Sequence, residues 1–316
     1  MIEVSTEPHA AYRHDALIYS GTKDFVARTL PFIQGGLKAA EPVLVVTGAE
    51  KIDLLRNALG RDAKAVDFAD MAHVGSNPAR IIPFWQDFLD EHRAGGRPMR
   101  GIGEPIWAGR SAAELVECQR HESLLNVAIS SETPMWLLCP YDTTGLDPAV
   151  IGEAILSHPF LTDGFVPGPP NRDYRGDEAS AAPFDVPLPE PGSDCHEFPF
   201  GPGGLTTVRE IVSGFAYGAG LSPSRAADLV QSAHEVAVNS VRHGGGRGVL
   251  RVWRESEHLI CEIADGGRID EPLAGRERPR AGAAARRGLW LANKLCDLVQ
   301  IRCLQSGSVV RLHMRI

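Results

Sequence analysis

No apolar run in this chain of 316 residues approaches the roughly 18 needed to span a membrane; the longest are short pieces such as Pro42-Val43-Leu44-Val45-Val46. The first residues, MIEVSTEPHAAYRHDA, hold no apolar core of the kind a signal peptide requires. Positive charge is also scarce. Lys and Arg number 32 against 40 Asp and Glu, a net charge of -8, and phosphate binding would leave a basic footprint instead. Neither a membrane nor a nucleic acid is therefore expected as a partner. The six cysteines, at 118, 139, 195, 261, 296 and 303, form no CxxC pair and show no zinc-like spacing. Reduced, buried thiols in a cytoplasmic protein are the expectation. The phosphate loop GxxxxGK[ST] is missing as well: Ser20-Gly21-Thr22-Lys23-Asp24-Phe25 follows the first expected strand but lacks the wrapping loop. No internal repeat is found.

What is present is ordinary globular material, 43% hydrophobic and 23% charged, in a chain long enough for two cores. Residues 163–202 interrupt it with nine of the 23 prolines, an acidic excess and no period, which reads as an extended linker. The expected domains are thus 1–162 and 203–316. In the first, strand-length apolar runs (ALIYS, PVLVVT, KAVDFA, MRGIG, MWLLCP) alternate with helical stretches. That pattern predicts a doubly wound, mainly parallel α/β sheet with its ligand site at the carboxyl ends of the strands. In the second, two helical segments precede the alternating strands GVLRVWRE and HLICEIAD, then a loop rich in Arg and Gly, a helix and a final strand VVRLHMRI. This predicts a two-layer α/β sandwich.

Three segments of the second domain carry chemistry. Glu235, Asn239 and His243 recur at i, i+4 and i+8 beside a core stripe of Leu229, Val230, Ala233, Val236, Ala237 and Ser240. A carboxylate can take a proton, and an amide oxygen suits Mg²⁺; an exposed polar face would show the same spacing. Asp265 ends a strand before Gly266 and Gly267, either to accept from an exocyclic amine or to form an Asp-Gly turn. Gly288 and Leu289 open a helix whose backbone N–H groups could meet phosphate, or the segment is a loop entering a core helix. Arg268, Arg276, Arg278, Arg280, Arg286 and Arg287 add basic side chains suited to triphosphate, although most such runs are solvated loops.

In this order the segments resemble the GHKL (Bergerat-fold) ATPases, histidine-kinase-like in fold, and within them the anti-sigma-factor serine/threonine kinases, over about residues 196–316. The resemblance implies that Glu235 activates the attacking hydroxyl, Asn239 ligates Mg²⁺, Asp265 reads the adenine amine and Gly267 shapes the pocket floor. It matches His243 and Gly244 to the end of the first motif, and implies ATP and Mg²⁺ as cofactors. One departure stands out: where the family has G-x-G-L, this chain has Arg286-Arg287-Gly288-Leu289. A side chain then replaces a lid glycine, weakening nucleotide binding or supplying an Arg286 charge contact.

In the first domain His14, Glu104, Trp107, Cys139, Tyr141, Asp142 and His158 fall near expected strand ends and adjoining helices, with Glu122 and Asn126 as a further i,i+4 pair. Capping, core packing and inert thiols would account for each singly. Together with Asp15-Ala16-Leu17, Pro31-Phe32, Pro105-Ile106, Pro140 and Pro159, they make residues 12–161 resemble the MEDS sensory domain of methanogen and methylotroph regulators. That resemblance implies a RecA-like core without a phosphate loop and a small organic, hydrocarbon-like ligand.

The expected protein is a regulator in which a sensor biases an ATP-dependent serine/threonine kinase. Its partner would be an anti-sigma antagonist of STAS type or a sigma factor, and the kinase branch implies a homodimer. The alternative is a non-catalytic partner-binding switch with a degraded lid. A histidine kinase lacks a dimerising helix pair, and the proline-rich stretch offers only His196 as phosphoacceptor.

Overall fold

A computed structural model describes residues 11–93, 96–164, 166–279 and 287–316, and separates the chain into two compact units, Met1–Ala181 and Ala182–Ile316. The first holds six parallel strands: β1 Arg13–Tyr19, β2 Val43–Thr47, β3 Asp67–Asp70, β4 Met99–Gly103, β5 Met135–Asp142 and β6 Phe160–Thr162. Their order is β3-β2-β4-β5-β1-β6. Around them run α1 Gly21–Lys38, α2 Ala49–Leu59, α3 Met71–Val74, α4 Ile81–His92, α5 Ala112–Ala128 and α6 Pro148–Ser157. β2 and β4 are buried at every position, as continuous apolar runs require in a sheet covered on both faces. Strand β4 shows the two faces directly. Arg100 points to α1, where its Nη1 donates to the Phe32 carbonyl at 2.9 Å, while the neighbouring Gly101 lies under Trp85 of α4. A Cβ at Gly101 would stand 2.8 Å from the indole, so glycine is what lets the tryptophan cover the strand. Helix α5 starts on a capping box of Ser111 and Glu114, and from Glu117 to Leu125 every residue but the half-buried Gln119 is buried. Its polar residues must find partners inside the protein.

The second unit has α7 Leu205–Gly218, α8 Pro223–His243 and α9 Arg287–Leu295. Its five strands are antiparallel: β7 His196–Phe200, β8 Gly248–Glu255, β9 His258–Asp265, β10 Leu298–Leu304 and β11 Gly307–Arg315, in the order β10-β11-β9-β8-β7. Leu229, Ala233, Val236 and Ala237 of α8 pack with Leu250, Cys261, Ile263 and Leu312 of the sheet into one core. The mixed α/β architecture of both units is the expected one, with an α/β sandwich second.

The stretch 163–202 differs from the expected linker. Its first part packs on the first unit: Asn171 donates to the carbonyls of Ile155 and His158 at 2.6 and 2.9 Å, and Arg175 pairs with Glu153 at 2.7 Å. Its second part belongs to the other unit, where Arg311 donates to the Pro189 carbonyl at 2.8 Å and residues 196–200 form β7. β7 escapes a periodicity reading because it is short and carries Pro199, which an edge strand tolerates. β10 was also not expected. It follows α9 after only Cys296 and Asp297, so its apolar residues read as more helix.

The outer face of β10 and β11 buries Gln300, Arg302, Arg311 and His313. His313 Nε2 donates to the Gln300 Oε1 at 3.0 Å, and burial, helped by Arg311, pushes its pKa down to about 3. The folded state then refuses a proton that the unfolded chain takes up below about pH 6.5, so this stability is full above pH 6.5 and drains as pH falls towards 3. Hydrogen exchange of β11 amides should show stability falling by up to about 1.4 kcal/mol per pH unit between pH 6 and 4. His313→Gln should flatten that slope by one proton; an unchanged slope refutes the assignment.

Candidate functional sites

In the second unit, a cavity of about 750 Å³ opens between α8, the end of β9 and the loop that follows it. That volume lies within the roughly 300–1,000 Å³ of small-molecule sites. Asn239, His243, Gly244, Asp265, Gly267 and Leu289 line it, so six of the residues singled out from sequence meet there. The floor is built around Asp265. Its Oδ1 accepts from the Gly267 N–H at 2.8 Å and the Ser308 hydroxyl at 2.9 Å, and its Oδ2 from the Ser240 hydroxyl at 2.6 Å. An ionised carboxylate offers about four acceptor directions, so one on Oδ2 stays available. The turn reading and the recognition reading thus describe the same side chain. Gly244 and Gly267 press on one another here: a Cβ on Gly244 would collide with the Asp265 carboxylate, and one on Gly267 would stand 2.7 Å from the His243 carbonyl. Glycine at both positions is what brings the end of α8 against the end of β9.

Asn239 sits one turn back from His243, half-buried, and among the described residues no hydrogen bond holds its amide. Gly288 lies directly over this turn, its missing Cβ 3.1 Å from Asn239 Nδ2 and 3.4 Å from Glu235 Oε2. The start of α9 is therefore in register with both. Glu235 does not line the described cavity; its Oε1 accepts from Gln231 Nε2 at 2.8 Å. His243 is exposed at the C-terminus of α8. Of the expected basic patch, Arg268 and Arg278 line the cavity, Arg268 pairing with Asp270 at 3.2 Å, while Arg276 is buried and Arg287 is exposed at the start of α9. Arg280 and Arg286 lie outside the described residues. Ser240 and Ser308 were missed from sequence. Ser240 read as part of the core stripe, and Ser308 has no local signal, since only the β9–β11 pairing sets it opposite Asp265.

The nine candidates of the first unit separate into distinct places. At the carboxyl ends of the strands, the Tyr19 hydroxyl donates to Glu104 Oε1 at 2.6 Å, Lys51 Nζ reaches the same oxygen at 2.5 Å, and Thr47 donates to Oε2. Glu104 is thereby satisfied. Asp142 accepts from the Gly21 N–H at 3.0 Å and Asp24 from the Ser20 N–H at 2.9 Å. Two carboxylates thus occupy the start of α1, where a phosphate loop would have bound an anion. Trp107 stacks under the Arg110 guanidinium at 3.8 Å.

The remaining candidates meet within the unit rather than at the strand ends, on the face of β1 and β5 covered by α5 and α6. His14 Nε2 lies 3.2 Å from both Glu122 Oε2 and Cys139 Sγ, and His158 Nε2 is 3.2 Å from the same carboxylate oxygen. His14 Nδ1 meets Asn126 Oδ1 at 2.9 Å, and the Asn126 amide donates to the Ser157 carbonyl at 2.9 Å. Tyr141 stands edge-on to His158. Burial, with His158 next, pushes His14 below its ordinary pKa towards the neutral imidazole, and burial raises the Cys139 thiol well above its own. All six cysteines are free thiols, and no helix among the described residues is long and apolar enough to cross a membrane.

Comparison with known proteins divides the chain at the same place. Residues 13–159 match the MEDS family, described as the methanogen/methylotroph, DcmR sensory domain, and residues 198–314 match the histidine kinase-like ATPase domain. The chain therefore carries a MEDS domain followed by a histidine kinase-like ATPase domain. Among solved structures, the RsbU and RsbW domains of Rv1364c from Mycobacterium tuberculosis are similar at 18% identity, with a TM-score of 0.29. That match covers 38% of this chain and 32% of the other, so this chain spans about a third of its length. No curated protein matches.

Proposed function

We propose that the second domain binds ATP with Mg²⁺ and transfers the γ-phosphoryl group to a Ser or Thr of an anti-sigma antagonist of STAS type. In this reading the MEDS domain takes a small organic ligand and biases that activity. The observation carrying it is the Asp265 carboxylate, held rigid by three donors at the floor of a cavity, with one acceptor direction left for an exocyclic amine. Asn239, whose amide is uncommitted, would offer its oxygen to Mg²⁺, which keeps waters and phosphates as its other ligands. The metal supplies charge neutralisation along the triphosphate; transfer otherwise depends on positioning. Glu235, one turn earlier, would take the proton of the attacking hydroxyl.

Asp265→Asn tests the reading without dismantling the floor. The new amide NH₂ can face Ser240, whose hydroxyl already has the Val236 carbonyl as a second acceptor at 3.2 Å. The amide oxygen keeps Gly267 and Ser308. Folding should be little changed, while ATP affinity measured by calorimetry falls about 10–100-fold, the worth of one lost hydrogen bond and a donor facing a donor. Wild-type affinity in a folded Asp265→Asn protein would remove the carboxylate from nucleotide recognition.

A second reading has its own observation: Glu235 is tied to Gln231 and does not line the described cavity, while Arg286 replaces a lid glycine. The domain would then bind ATP and grip a sigma factor or antagonist without transfer. Incubating the full chain and its partner with labelled ATP separates the two. A stable complex with no label on the partner favours the switch.

A further inference from the structure

We propose that the MEDS domain holds a divalent transition-metal ion of the Zn²⁺ kind, coordinated by His14 Nε2, His158 Nε2, a Glu122 oxygen and Cys139 Sγ. This site lies in the other domain and does not depend on the nucleotide reading. All four side chains are buried, and their ligand atoms lie within 4.8 Å of one another. Tetrahedral bonds of about 2.0–2.3 Å place ligand atoms roughly 3.3–3.8 Å apart, so the observed 3.2 Å approaches sit close to that spacing, and the wider pairs, within 4.8 Å, draw in around an ion.

The hydrogen positions argue for a cation more strongly than the distances. Asn126 donates its NH₂ to the Ser157 carbonyl, which leaves Oδ1 as an acceptor towards His14 Nδ1. His158 Nδ1 lies 2.7 Å from the Ala154 carbonyl, also an acceptor. Both imidazoles must therefore carry hydrogen on Nδ1, so in their neutral forms both Nε2 lone pairs point into the centre. There they face a carboxylate. The Cys139 thiol can supply one hydrogen, enough for His14 alone. His158 Nε2 and Glu122 Oε1 are left buried with no hydrogen-bond partner. Four lone-pair donors converging in a dry interior are unfavourable without a positive charge among them. A divalent ion supplies it, with one proton released from Cys139 to solvent as the sulfur–metal bond forms.

Thiolate and imidazole donors favour Zn²⁺ and its neighbours over Mg²⁺ or Ca²⁺, and the Nδ1 contacts to carbonyl oxygens are the outer-shell support that metal-bound histidines generally have. Four protein ligands close the coordination sphere, as in structural rather than catalytic sites. Occupancy would tie together β1, β5, α5 and the turn between α6 and β6, four segments distant in sequence.

The test uses the full chain, stripped with chelator and titrated with Co²⁺ in the absence of nucleotide. The expected result is one equivalent bound per chain, with the visible bands of tetrahedral Co²⁺ and a near-ultraviolet thiolate charge-transfer band, both displaced by Zn²⁺. Cys139→Ser, nearly isosteric, should abolish the charge-transfer band. Asn126→Ala, which removes only the outer support, should weaken binding about 10–100-fold. Asn239→Ala in the other domain should leave the Co²⁺ stoichiometry and the thiolate band as they are. An octahedral spectrum, or a thiolate band that survives Cys139→Ser, overturns the site, and so does the absence of stoichiometric binding by the folded wild type.

Discussion

Glu235→Gln should lower phosphotransfer to a partner hydroxyl roughly 10²–10⁴-fold, the range for loss of a general base, while leaving ATP affinity within a few-fold. The substitution keeps the shape of the side chain, and its amide oxygen can still accept from Gln231 Nε2. The close approach of Gly288 to Glu235 and Asn239 is likewise preserved, so the start of α9 need not move. What disappears is the capacity to take a proton. Single-turnover transfer of labelled phosphate, read beside equilibrium ATP binding, separates the two effects. Equal losses in both would mean that Glu235 supports the nucleotide pocket instead. A transfer rate within threefold of wild type would eliminate it as the base and, where the wild type is itself silent, leave the partner-binding reading standing.

The second domain was legible because its signals are local. Glu235, Asn239 and His243 declare themselves by helical spacing, and Asp265 by its position at the end of an alternating strand. Each remains local when the chain folds, and only the glycine contacts among Gly244, Gly267 and Gly288 were needed to bring them together. The first domain behaved differently. His14 meets Glu122 across 108 positions of sequence and Cys139 across 125, in a register that parallel pairing of β1 with β5 decides. A parallel pair has no tight turn to announce its register. The residues were therefore visible as a set, but their convergence inside the sheet, away from the strand ends, was not. The linker failed for a related reason. Its composition excludes periodic structure, yet side chains such as Asn171 and Arg175 bind particular carbonyls and carboxylates of the first unit.

Least legible of all was Arg100, a charged residue second in the parallel strand β4 and fully buried. Its Nε donates to Glu41 Oε2 at 2.5 Å, its Nη1 to the Phe32 carbonyl, and its guanidinium lies 5.2 and 5.3 Å from the Phe32 and Trp136 rings. Gly36 of α1 makes the room, since a Cβ there would stand 2.9 Å from Arg100 Cδ. Among the described residues, Glu41 is the carboxylate that pairs with this cation. Glu41→Ala leaves an arginine that cannot be neutralised and that has no route to water, which costs about 3–5 kcal/mol. For a unit of this size the melting temperature should fall by roughly 6–20 °C. Thermal unfolding, with hydrogen exchange in β2 and β4 to identify the unit affected, measures it. The pair's net worth is a separate question, because both charges were desolvated on folding. Arg100→Met combined with Glu41→Leu should therefore recover most of the loss, as replacing a buried ion pair by apolar groups is often neutral or stabilising. A single Glu41→Ala variant within about 1 kcal/mol of wild type would mean that Arg100 reaches solvent or another anion, contrary to its buried place between α1 and β4.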